Sequence, residues 1–485
     1  MVSRLAAHLT RVFRATAPDP FVIAILLLVL TCVLGLWIGR PPVPDASQAS
    51  VSARLAGLAD SFREPRSGEA FAHMWSLLGF TMQMCLVLVA GSVLASTPLA
   101  ARVIGALADQ PRSGAAAAAM IGLSACLAGV LNWGLGLIVG AVLARRVGES
   151  LARRAVPHHY PLLAAAGYFG LMVWHGGLSG SAPLTMTSLA GAARTLPPEV
   201  VDRLREAGCA QGVPLTRTLF TAYNAFITIG LIVLVPICLW FLAPRRTEDM
   251  LPATGFLPRA GASDPSGEAV EPEPDDGAGI PAWLETTRLV PLVLAGALLA
   301  GVWRFVSLRS AWEVGLNEII AVMLALGLVL HGSARSFVSA VDEAAKGCGG
   351  IIVQFPIYAA IMAAMSNTGL TRTLADAAAT TDPRWLPLQT FMSASVINLF
   401  VPSGGGQWAV QGPIALTAGL ERGVEPGVMI MAVAYGDQLT NMLQPFWALP
   451  LLAVTRVRAR DIVGYTALVM LAGGCWIALG LLVLT

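Results

Sequence analysis

Asp437 is the side chain of this sequence that is best suited to do chemistry, because it is a carboxylate inside an otherwise apolar run. An ionisable group in such a run is costly to bury and marks a functional site by default. Asp437 can bind Na⁺, carry a proton or pair with a nearby dipole, and the sequence leaves these roles open. His175 lies in a comparable run of the first half, where it can change charge near neutral pH or bond a backbone carbonyl.

Two long apolar stretches, 114–144 and 387–419, are interrupted near the middle by glycine-rich tips. The first tip is Asn132-Trp133-Gly134-Leu135-Gly136 and the second is Pro402-Ser403-Gly404-Gly405-Gly406. Glycines let the backbone approach a small ligand closely, although tight helix packing is the alternative reason for them. Helix N-termini carry free N–H groups and partial positive charge, so a carboxylate suits these tips.

Amide, hydroxyl and indole groups near the tips offer further contacts. A hard cation such as Na⁺ takes oxygen ligands, and the amides that can supply them are Asn132, Asn398 and Asn441. Serine and threonine hydroxyls can bind a ligand or bond their own backbone; they are Ser179, Ser181 and Thr440. Indole rings can form an apolar wall or anchor the membrane interface; they are Trp133, Trp408 and Trp447.

The composition excludes several classes of protein. Of 485 residues, 56% are hydrophobic and 12% are charged, whereas soluble domains are about one quarter charged. The chain therefore needs a lipid bilayer as its partner. A net charge of +2 without a basic block makes nucleic acid an unlikely partner, and seven scattered cysteines give neither a disulfide framework nor a zinc site.

The elements that position these residues are predicted to be membrane-spanning helices. About 20 helical residues cross the roughly 30 Å of hydrocarbon, and the stretches that satisfy this are approximately 21–38, 74–96, 161–190, 218–242, 287–307, 315–331, 348–366, 428–455 and 462–484. The two interrupted stretches leave limbs of about 15 residues, which reach only about 22 Å. We predict that each is a re-entrant hairpin, with 161–190 and 428–455 as broken helices.

Arginine placement predicts the orientation. Arg4, Arg11 and Arg14 precede the first span, which is too long for a signal-peptide core and should be retained with the N-terminus in the cytoplasm. If 114–144 returns to the side that it left, Arg145 and Arg146 also lie inside. This favours a multi-pass protein of a bacterial-type inner membrane.

The two halves of the chain resemble each other across a polar linker at 243–286. Gln83 and Gln354 are 271 residues apart, and Asn132 and Asn398 are 266 apart. Residues 1–242 and 308–485 then form repeats of opposite orientation joined by a span at 287–307. We predict an all-α polytopic protein with an inverted-topology repeat, as in elevator-type secondary transporters.

The same motifs resemble the short-chain fatty acid transporter family of the AtoE type, within the ion-transporter superfamily. The similarity lies in the two tips and in three other motifs, Gly177-Leu178-Ser179-Gly180-Ser181, Ala434-Tyr435-Gly436-Asp437-Gln438 and Gln444-Pro445-Phe446-Trp447-Ala448-Leu449-Pro450. It covers nearly the whole chain and implies an inner-membrane permease for butyrate or acetoacetate. In the family pattern a histidine often follows the triple glycine and a glycine stands at position 175, whereas this chain has Gln407 and His175.

We therefore expect import of a short-chain monocarboxylate coupled to an ion gradient, with no cofactor and with a homodimer as scaffold. The residues assigned to substrate are Asn132, Trp133, Gly134, Gly136, Ser179, Ser181, Ser403, Gly404, Gly405, Gln407 and Trp408. The residues assigned to Na⁺ or H⁺ are Asn132, Asn398, Asp437, Thr440 and Asn441. Within the same architecture the alternatives are a di- or tricarboxylate carrier and an Na⁺/H⁺ exchanger. An intramembrane enzyme would need a nucleophile–base pair or metal ligands at membrane depth, and a receptor would bind without translocation.

Overall fold

Helices make up most of the described chain. The computed structural model describes residues 19–40, 51–62, 72–193, 195–257, 279–308, 316–377, 382–401 and 403–485. Within these ranges an isolated bridge between Ala210 and Gly212 is the only β-type pairing. The predicted Arg4, Arg11 and Arg14 cluster and Pro402 of the second tip lie outside the described residues.

The helices of the first half begin with a well-capped span. Asp19 accepts a hydrogen bond from the N–H of Phe21 at 2.9 Å and Pro20 follows at the first helical position, as both residue types favour. In chain order the helices are α1 Pro20–Ile38, α2 Val51–Ser61, α3 Leu78–Ser96, α4 Pro98–Ala108, α5 Gly114–Leu131, α6 Trp133–Arg153, α7 Tyr160–Tyr168, α8 Ser181–Thr185, α9 Leu189–Ala192, α10 Pro198–Glu206 and α11 Ala222–Leu242.

The second half repeats the order of a hairpin followed by a broken helix. Its helices are α12 Ile280–Thr286, α13 Leu289–Leu308, α14 Leu316–His331, α15 Ala334–Ala345, α16 Gly349–Asn367, α17 Leu370–Ala377, α18 Leu386–Asn398, α19 Gly404–Glu421, α20 Pro426–Thr440, α21 Pro445–Thr455 and α22 Ala459–Leu484. Short 3₁₀ turns at Phe169–Met172, Trp174–Gly176 and Asn441–Leu443 lie at the two helix breaks.

Seven helical stretches in the described chain are long and apolar enough to cross a membrane: Pro20–Ile38, Gly114–Leu131, Tyr160–Thr185, Ala222–Leu242, Leu289–Leu308, Ala334–Asn367 and Ala459–Leu484. Large apolar side chains remain exposed on them, among them Val293 at 74% and Trp303 at 75%. Such surfaces need lipid or a partner to cover them. The chain is thus an all-helical, multi-pass membrane protein, as its composition predicts.

The first hairpin differs from its prediction in length. Helices α5 and α6 have 18 and 21 residues, or about 27 and 31 Å, because Asn132 alone leaves the helical conformation while Gly134 and Gly136 remain helical. The chain still reverses, since Ser150 near the end of α6 donates to Asp109, before α5, at 2.5 Å. Both ends of this hairpin therefore lie together.

The predicted linker also differs from the structure in its first part. Residues 247–257, which we call the strap, pack against the hairpin-1 side of the protein, with Ala253 and Leu257 buried. The N–H of Tyr160 donates to Leu251 O at 2.8 Å. The polar composition of the linker did not predict this packing. A few apolar side chains, such as Ala253 and Leu257, are enough to hold a short segment against the surface of an already folded domain.

Candidate substrate and ion site

The tip of hairpin 1 (α5–α6) is a single-residue turn held by its own side chain. Asn132 Oδ1 accepts from the N–H groups of Gly134 at 2.9 Å and Leu135 at 3.3 Å, and the N–H of Trp133 donates to Ser179 Oγ at 3.0 Å. These bonds use the N-terminal N–H groups of α6. Asn132, Gly134 and Ser179, which were predicted to bind ligand, therefore close the tip onto the first break.

Glycines around this tip serve close packing. An added Cβ at Gly136 would lie 2.6 Å from Gly129 Cα, and one at Gly177 would lie 2.2 Å from Val130 O. The N–H of Leu178 donates to that same Val130 O at 2.7 Å. The structure thus places the predicted substrate residue Gly136 at the contact between the two limbs.

The tip of hairpin 2 (α18–α19) is more open. Ser403 caps α19 by accepting from Gly406 N at 3.2 Å, whereas the N–H groups of Gly404 and Gly405, which begin α19, have no acceptor among the described residues. A Cβ added at Gly404 would lie 2.9 Å from His175 Nε2 and 3.0 Å from Ser181 Oγ, and one at Gly405 would have no neighbour within 4 Å. The first N–H groups of this 18-residue helix are therefore free to bind an anion, whereas those at the start of α6 in hairpin 1 are already bonded.

Gln407 lies behind the second tip and joins the two limbs. Its Nε2 donates to Ala394 O at 2.9 Å and to Gln411 Oε1 at 3.0 Å, and Gln411 donates to Ser393 Oγ at 2.8 Å. Gln407 is one of the predicted substrate-binding residues, and in the structure its side chain bonds other residues of hairpin 2. Ser181, in contrast, lies at the tip itself.

A cluster of aromatic rings lies beside the first break. Trp133 packs against Trp447 with ring centroids 5.3 Å apart and against Trp174 at 6.3 Å, and Trp174 packs on His175 at 3.6 Å. Trp408 does not belong to this cluster, because it packs in a second apolar core around α19 and α20. Of the three indoles predicted to form an apolar wall, Trp133 and Trp447 therefore lie in this cluster with Trp174, and Trp408 lies outside it.

An amide network joins hairpin 2 to the second break. Asn398 ends α18, five residues before the tip of the hairpin. Its Nδ2 donates to Asp437 O at 2.6 Å, Thr440 Oγ1 at 3.1 Å and Asn441 Oδ1 at 2.9 Å, and Gln444 donates to Asn398 O. The structure therefore brings together four of the five residues that were predicted to bind the coupling ion; the described contacts of Asn132 stay in hairpin 1.

The two breaks meet at His175 and Asp437. Their Nε2 and Oδ1 atoms are 3.2 Å apart, and the side chains are 1% and 2% exposed. The N–H of His175 also donates to Gln438 Oε1 at 3.0 Å. Asp437 lies one turn before the break, within α20, and His175 lies in the 3₁₀ turn before Gly177.

Unpartnered polar atoms are concentrated where the breaks meet, a region that we call the crossing. In the described part of the chain, these buried atoms lack hydrogen-bond partners there: both ring nitrogens of His175, both carboxylate oxygens of Asp437, Trp174 Nε1, Asn398 Oδ1, Gln438 Nε2, Asn441 Nδ2, Gln444 Oε1 and Trp447 Nε1. A buried polar atom without a partner costs about 1–3 kcal/mol. Such atoms are retained where a ligand, an ion or water completes their bonding.

Several residues that hold the crossing together escaped the sequence analysis. Tyr168 donates to Asn441 O at 2.7 Å and to Gln444 O at 3.0 Å, and Tyr435 donates to Asn224 Oδ1 at 2.8 Å. Asn224 in turn donates to Gly176 O at 3.0 Å. Their signal in the sequence is a tyrosine or asparagine within an apolar run.

Comparison with known proteins gives full-length matches. The family described as "Short chain fatty acid transporter" matches residues 1–484. The chain is 34% identical to a protein of Escherichia coli K12, over 99% of both chains, and 33% identical to one of Haemophilus influenzae, over 97% of this chain and 98% of the other; both bear the name "Putative short-chain fatty acid transporter".

Two solved structures are similar at low identity. The Alcanivorax borkumensis YdaH transporter is 17% identical with a TM-score of 0.41, covering 96% of this chain and 97% of that one. The antimetabolite efflux pump MtrF of Neisseria gonorrhoeae is 15% identical with a TM-score of 0.40, covering 97% of each chain.

Proposed function

The chain belongs to the short-chain fatty acid transporter family, and from that premise we propose that it imports short-chain monocarboxylates such as butyrate or acetoacetate, driven by a cation gradient. The family is one of transporters, so the chain is not an enzyme. The observation that carries the finer proposal is the geometry of the crossing, where groups suited to a carboxylate adjoin groups suited to a short apolar tail.

The carboxylate would lie at the N-terminus of α19. The free N–H groups of Gly404 and Gly405 point to an anion there, and His175 and Ser181 adjoin Gly404. From this point the aromatic cluster continues through Trp174 to Trp133 and Trp447. A molecule with one charged end and a short apolar tail matches this order of surfaces.

A single charge suits this site better than two. The side chains that meet at the crossing in the described chain are Trp174, His175, Ser181, Asn398, Asp437, Gln438, Thr440, Asn441 and Gln444, so neither lysine nor arginine is among them. A second carboxylate of a di- or tricarboxylate would lack a cationic partner and would stay costly to desolvate. This favours a monocarboxylate over those alternatives.

An inverted repeat that moves as an elevator would explain how the helices pair. Helix α1 packs on α16 while α14, its predicted counterpart, packs on α3. Likewise α6 of hairpin 1 packs on α21 while α19 of hairpin 2 packs on α8. Reciprocal pairs of this kind are expected of two halves related by a pseudo-twofold axis. In this proposal the hairpins and broken helices move against a scaffold, for which we expect a homodimer.

The proposed location is the inner membrane of a bacterium, with the N-terminus in the cytoplasm. The bacterial relatives support the membrane, and the arginine distribution supports the orientation. With this orientation α1 leaves the cytoplasm and the base of hairpin 1, near Ser150 and Asp109, faces it.

Uptake into proteoliposomes tests the proposal. We expect the purified protein to accumulate labelled acetoacetate and butyrate under an inward cation gradient, above protein-free liposomes that correct for diffusion of the free acids. Asn398→Ala, which removes the amide network, should lose uptake, whereas Val396→Ala on the same helix, where the side chain is 46% exposed, should retain it. Uptake equal to the protein-free control for every monocarboxylate would overturn the proposal.

A further inference from the structure

The crossing also contains the means to select the coupling ion, a deduction that rests on the proposed function. We propose that the ion is a proton, that His175 and Asp437 together hold it, and that one proton enters with each monocarboxylate. Three features support this assignment: the charge of the pair, the oxygen atoms around it and its contact with the tip of hairpin 2.

The pair is placed to hold a proton where the two breaks meet. His175 belongs to the first break and Asp437 to the second, and Nε2 and Oδ1 are 3.2 Å apart with both side chains almost fully buried. Neither atom has a hydrogen bond of good geometry in the described structure. A histidine is also the side chain that most readily changes charge between pH 5 and 8, and the ring of Trp174 packs on this imidazole with centroids 3.6 Å apart.

One proton makes the pair electrically neutral. Without it, a neutral imidazole beside a carboxylate leaves one negative charge buried at the crossing, and a substrate carboxylate at Gly404 would be repelled at short range in a medium of low dielectric constant. With one added proton, the imidazolium and the carboxylate cancel. Binding of the anion and binding of the proton therefore favour each other, and the anion and the proton that are transported together carry no net charge.

The surrounding oxygens fit a proton better than Na⁺. The three that would form a cation site, Asp437 O, Thr440 Oγ1 and Asn441 Oδ1, share the two N–H hydrogens of the Asn398 Nδ2. Of the two carboxylate oxygens of Asp437, Oδ1 lies 3.2 Å from an imidazole nitrogen, whereas hard cations take oxygen ligands. An amide donor thus occupies the position in which Na⁺ would need to be held.

Other titratable groups around the pair leave its charge unchanged. On α20 and its N-cap the other such groups are Tyr435, which donates to Asn224 of α11, and Glu425, which pairs with Arg217 at 2.8 Å and lies twelve residues from Asp437. Tyr168 of the first broken helix donates to backbone carbonyls. From α8 and α19 the pair meets Ser181 and Gly404, and α18 presents Asn398.

Gly404 brings the tip of hairpin 2, the proposed gate, into contact with the proton-binding pair. Its Cβ, if present, would lie 2.9 Å from His175 Nε2, so the start of α19 comes this close only because residue 404 lacks a side chain. Hairpin 2 then closes over a pair whose charge has been cancelled, and closure over the unprotonated pair would bury its negative charge against the incoming anion.

The test measures gradient-driven uptake and the exchange of labelled for unlabelled monocarboxylate in proteoliposomes, under different ion gradients. For the wild-type protein we expect the accumulation of acetoacetate to rise with an inward proton gradient. It should not change with an Na⁺ gradient or with a membrane potential set by potassium and valinomycin. Uptake that follows Na⁺, or that changes with the potential at constant pH, would overturn the proton assignment while leaving the monocarboxylate carrier intact. Absence of any exchange of labelled for unlabelled monocarboxylate would instead refute the proposed function.

Variants separate the proton from the substrate. Asp437→Asn imitates the protonated carboxylate, so we expect proton-driven accumulation to fall at least about tenfold, or 1.4 kcal/mol, while substrate exchange at equal pH persists. His175→Gln should lose the pH dependence of exchange. Retained proton-driven accumulation in Asp437→Asn, or loss of exchange in both variants when they remain monodisperse, would contradict the assignment. If a variant does not fold, the gradient and potential measurements on the wild-type protein still decide whether the coupling ion is a proton.

Discussion

The two hairpin tips have similar sequence patterns but opposite construction. At hairpin 1 the turn is one residue, Asn132, and bonds from Trp133 and Leu178 attach it to the first break. At hairpin 2, five residues separate α18 from α19, and Gly405 has open space around it. The first tip is therefore suited to be a fixed wall of the site and the second to be a gate, a difference that glycine content alone did not reveal.

The largest effect should come from fixing the tip of hairpin 2 to its neighbour, α16. A Cβ at Gly406 would lie 2.8 Å from Met362 Cε on α16, so Gly406→Cys with Met362→Cys can be joined by a flexible bis-methanethiosulfonate reagent, which forms a disulfide with each cysteine, in a variant that lacks the seven native cysteines. If hairpin 2 moves relative to α16, cross-linking should abolish transport and reduction should restore it.

The matched control joins hairpin 1 to its own break. Val130→Cys with Leu178→Cys lie at a backbone hydrogen bond of 2.7 Å, and this cross-link should leave transport intact because both residues move together. Transport that survives the hairpin-2 cross-link, or stops with the hairpin-1 cross-link, would reverse the assignment of wall and gate.

A smaller effect is expected when the same side chain is added at each hairpin. Gly140→Ala on α6 would place a Cβ 1.9 Å from Gly167 O, a backbone atom, whereas Gly405→Ala meets nothing within 4 Å. We expect Gly140→Ala to lower the free energy of unfolding by about 1–3 kcal/mol or more, and Gly405→Ala to leave stability unchanged or raise it. Thermal unfolding in detergent measures both. Equal melting temperatures for the two variants would mean that hairpin 1 is not tightly packed.

Some features of the fold and the site could be predicted from the sequence, and others depend on the tertiary structure. Periodic apolar runs and the family motifs were enough to predict an all-helical membrane transporter, and a buried carboxylate pointed to Asp437. The same reasoning did not pair Asp437 with His175, because the two are 262 positions apart and meet only through the tertiary fold. Nor could it separate packing glycines such as Gly136 from open ones such as Gly405, since that depends on what lies opposite each Cα.

Removing one hydroxyl at each tip should have a smaller effect. Ser179→Ala leaves the N–H of Trp133 without its acceptor, which should destabilise the protein by about 1–3 kcal/mol. Ser403→Ala removes the N-cap of α19 and should cost about 0.5–2 kcal/mol, with a change in the KM of uptake because the cap adjoins the proposed carboxylate position. Uptake assays and thermal unfolding of both variants give the comparison. A KM change in Ser179→Ala with none in Ser403→Ala would place the substrate at hairpin 1.

The smallest effect concerns the strap, which packs against the base of hairpin 1. The N–H of Ala253 donates to His158 Nε2 at 3.0 Å, and His158 Nδ1 lies 2.8 Å from Val156 O, so the docked imidazole is neutral. Burial lowers the pKa of His158 below its ordinary 6.5, partly opposed by the Val156 hydrogen bond. The undocked histidine binds a proton more readily, so strap docking should be strongest above about pH 6.5 and weaken as the pH falls.

The charges near His158 do not reverse this direction. Arg112 lines the same cavity of about 270 Å³, and a nearby cation also disfavours the imidazolium, while Glu149 is paired with Arg145 and Arg146 at 3.1 and 3.2 Å. A spin label at Thr254→Cys should therefore be immobile at pH 8 and gain a mobile component below pH 6.5.

His158→Gln is the matching variant for the strap, since an amide can both accept from Ala253 and donate to Val156 without titrating. His159 also accepts from the strap, at Leu251 N, so the double variant with His159→Gln should remove the pH dependence altogether. A label that is equally immobile from pH 5 to 8 in the wild-type protein would show that the strap is held by packing of Ala253 and Leu257 alone. In that case hairpin 1 would be fixed at both ends at every pH, and its contrast with hairpin 2 would become sharper.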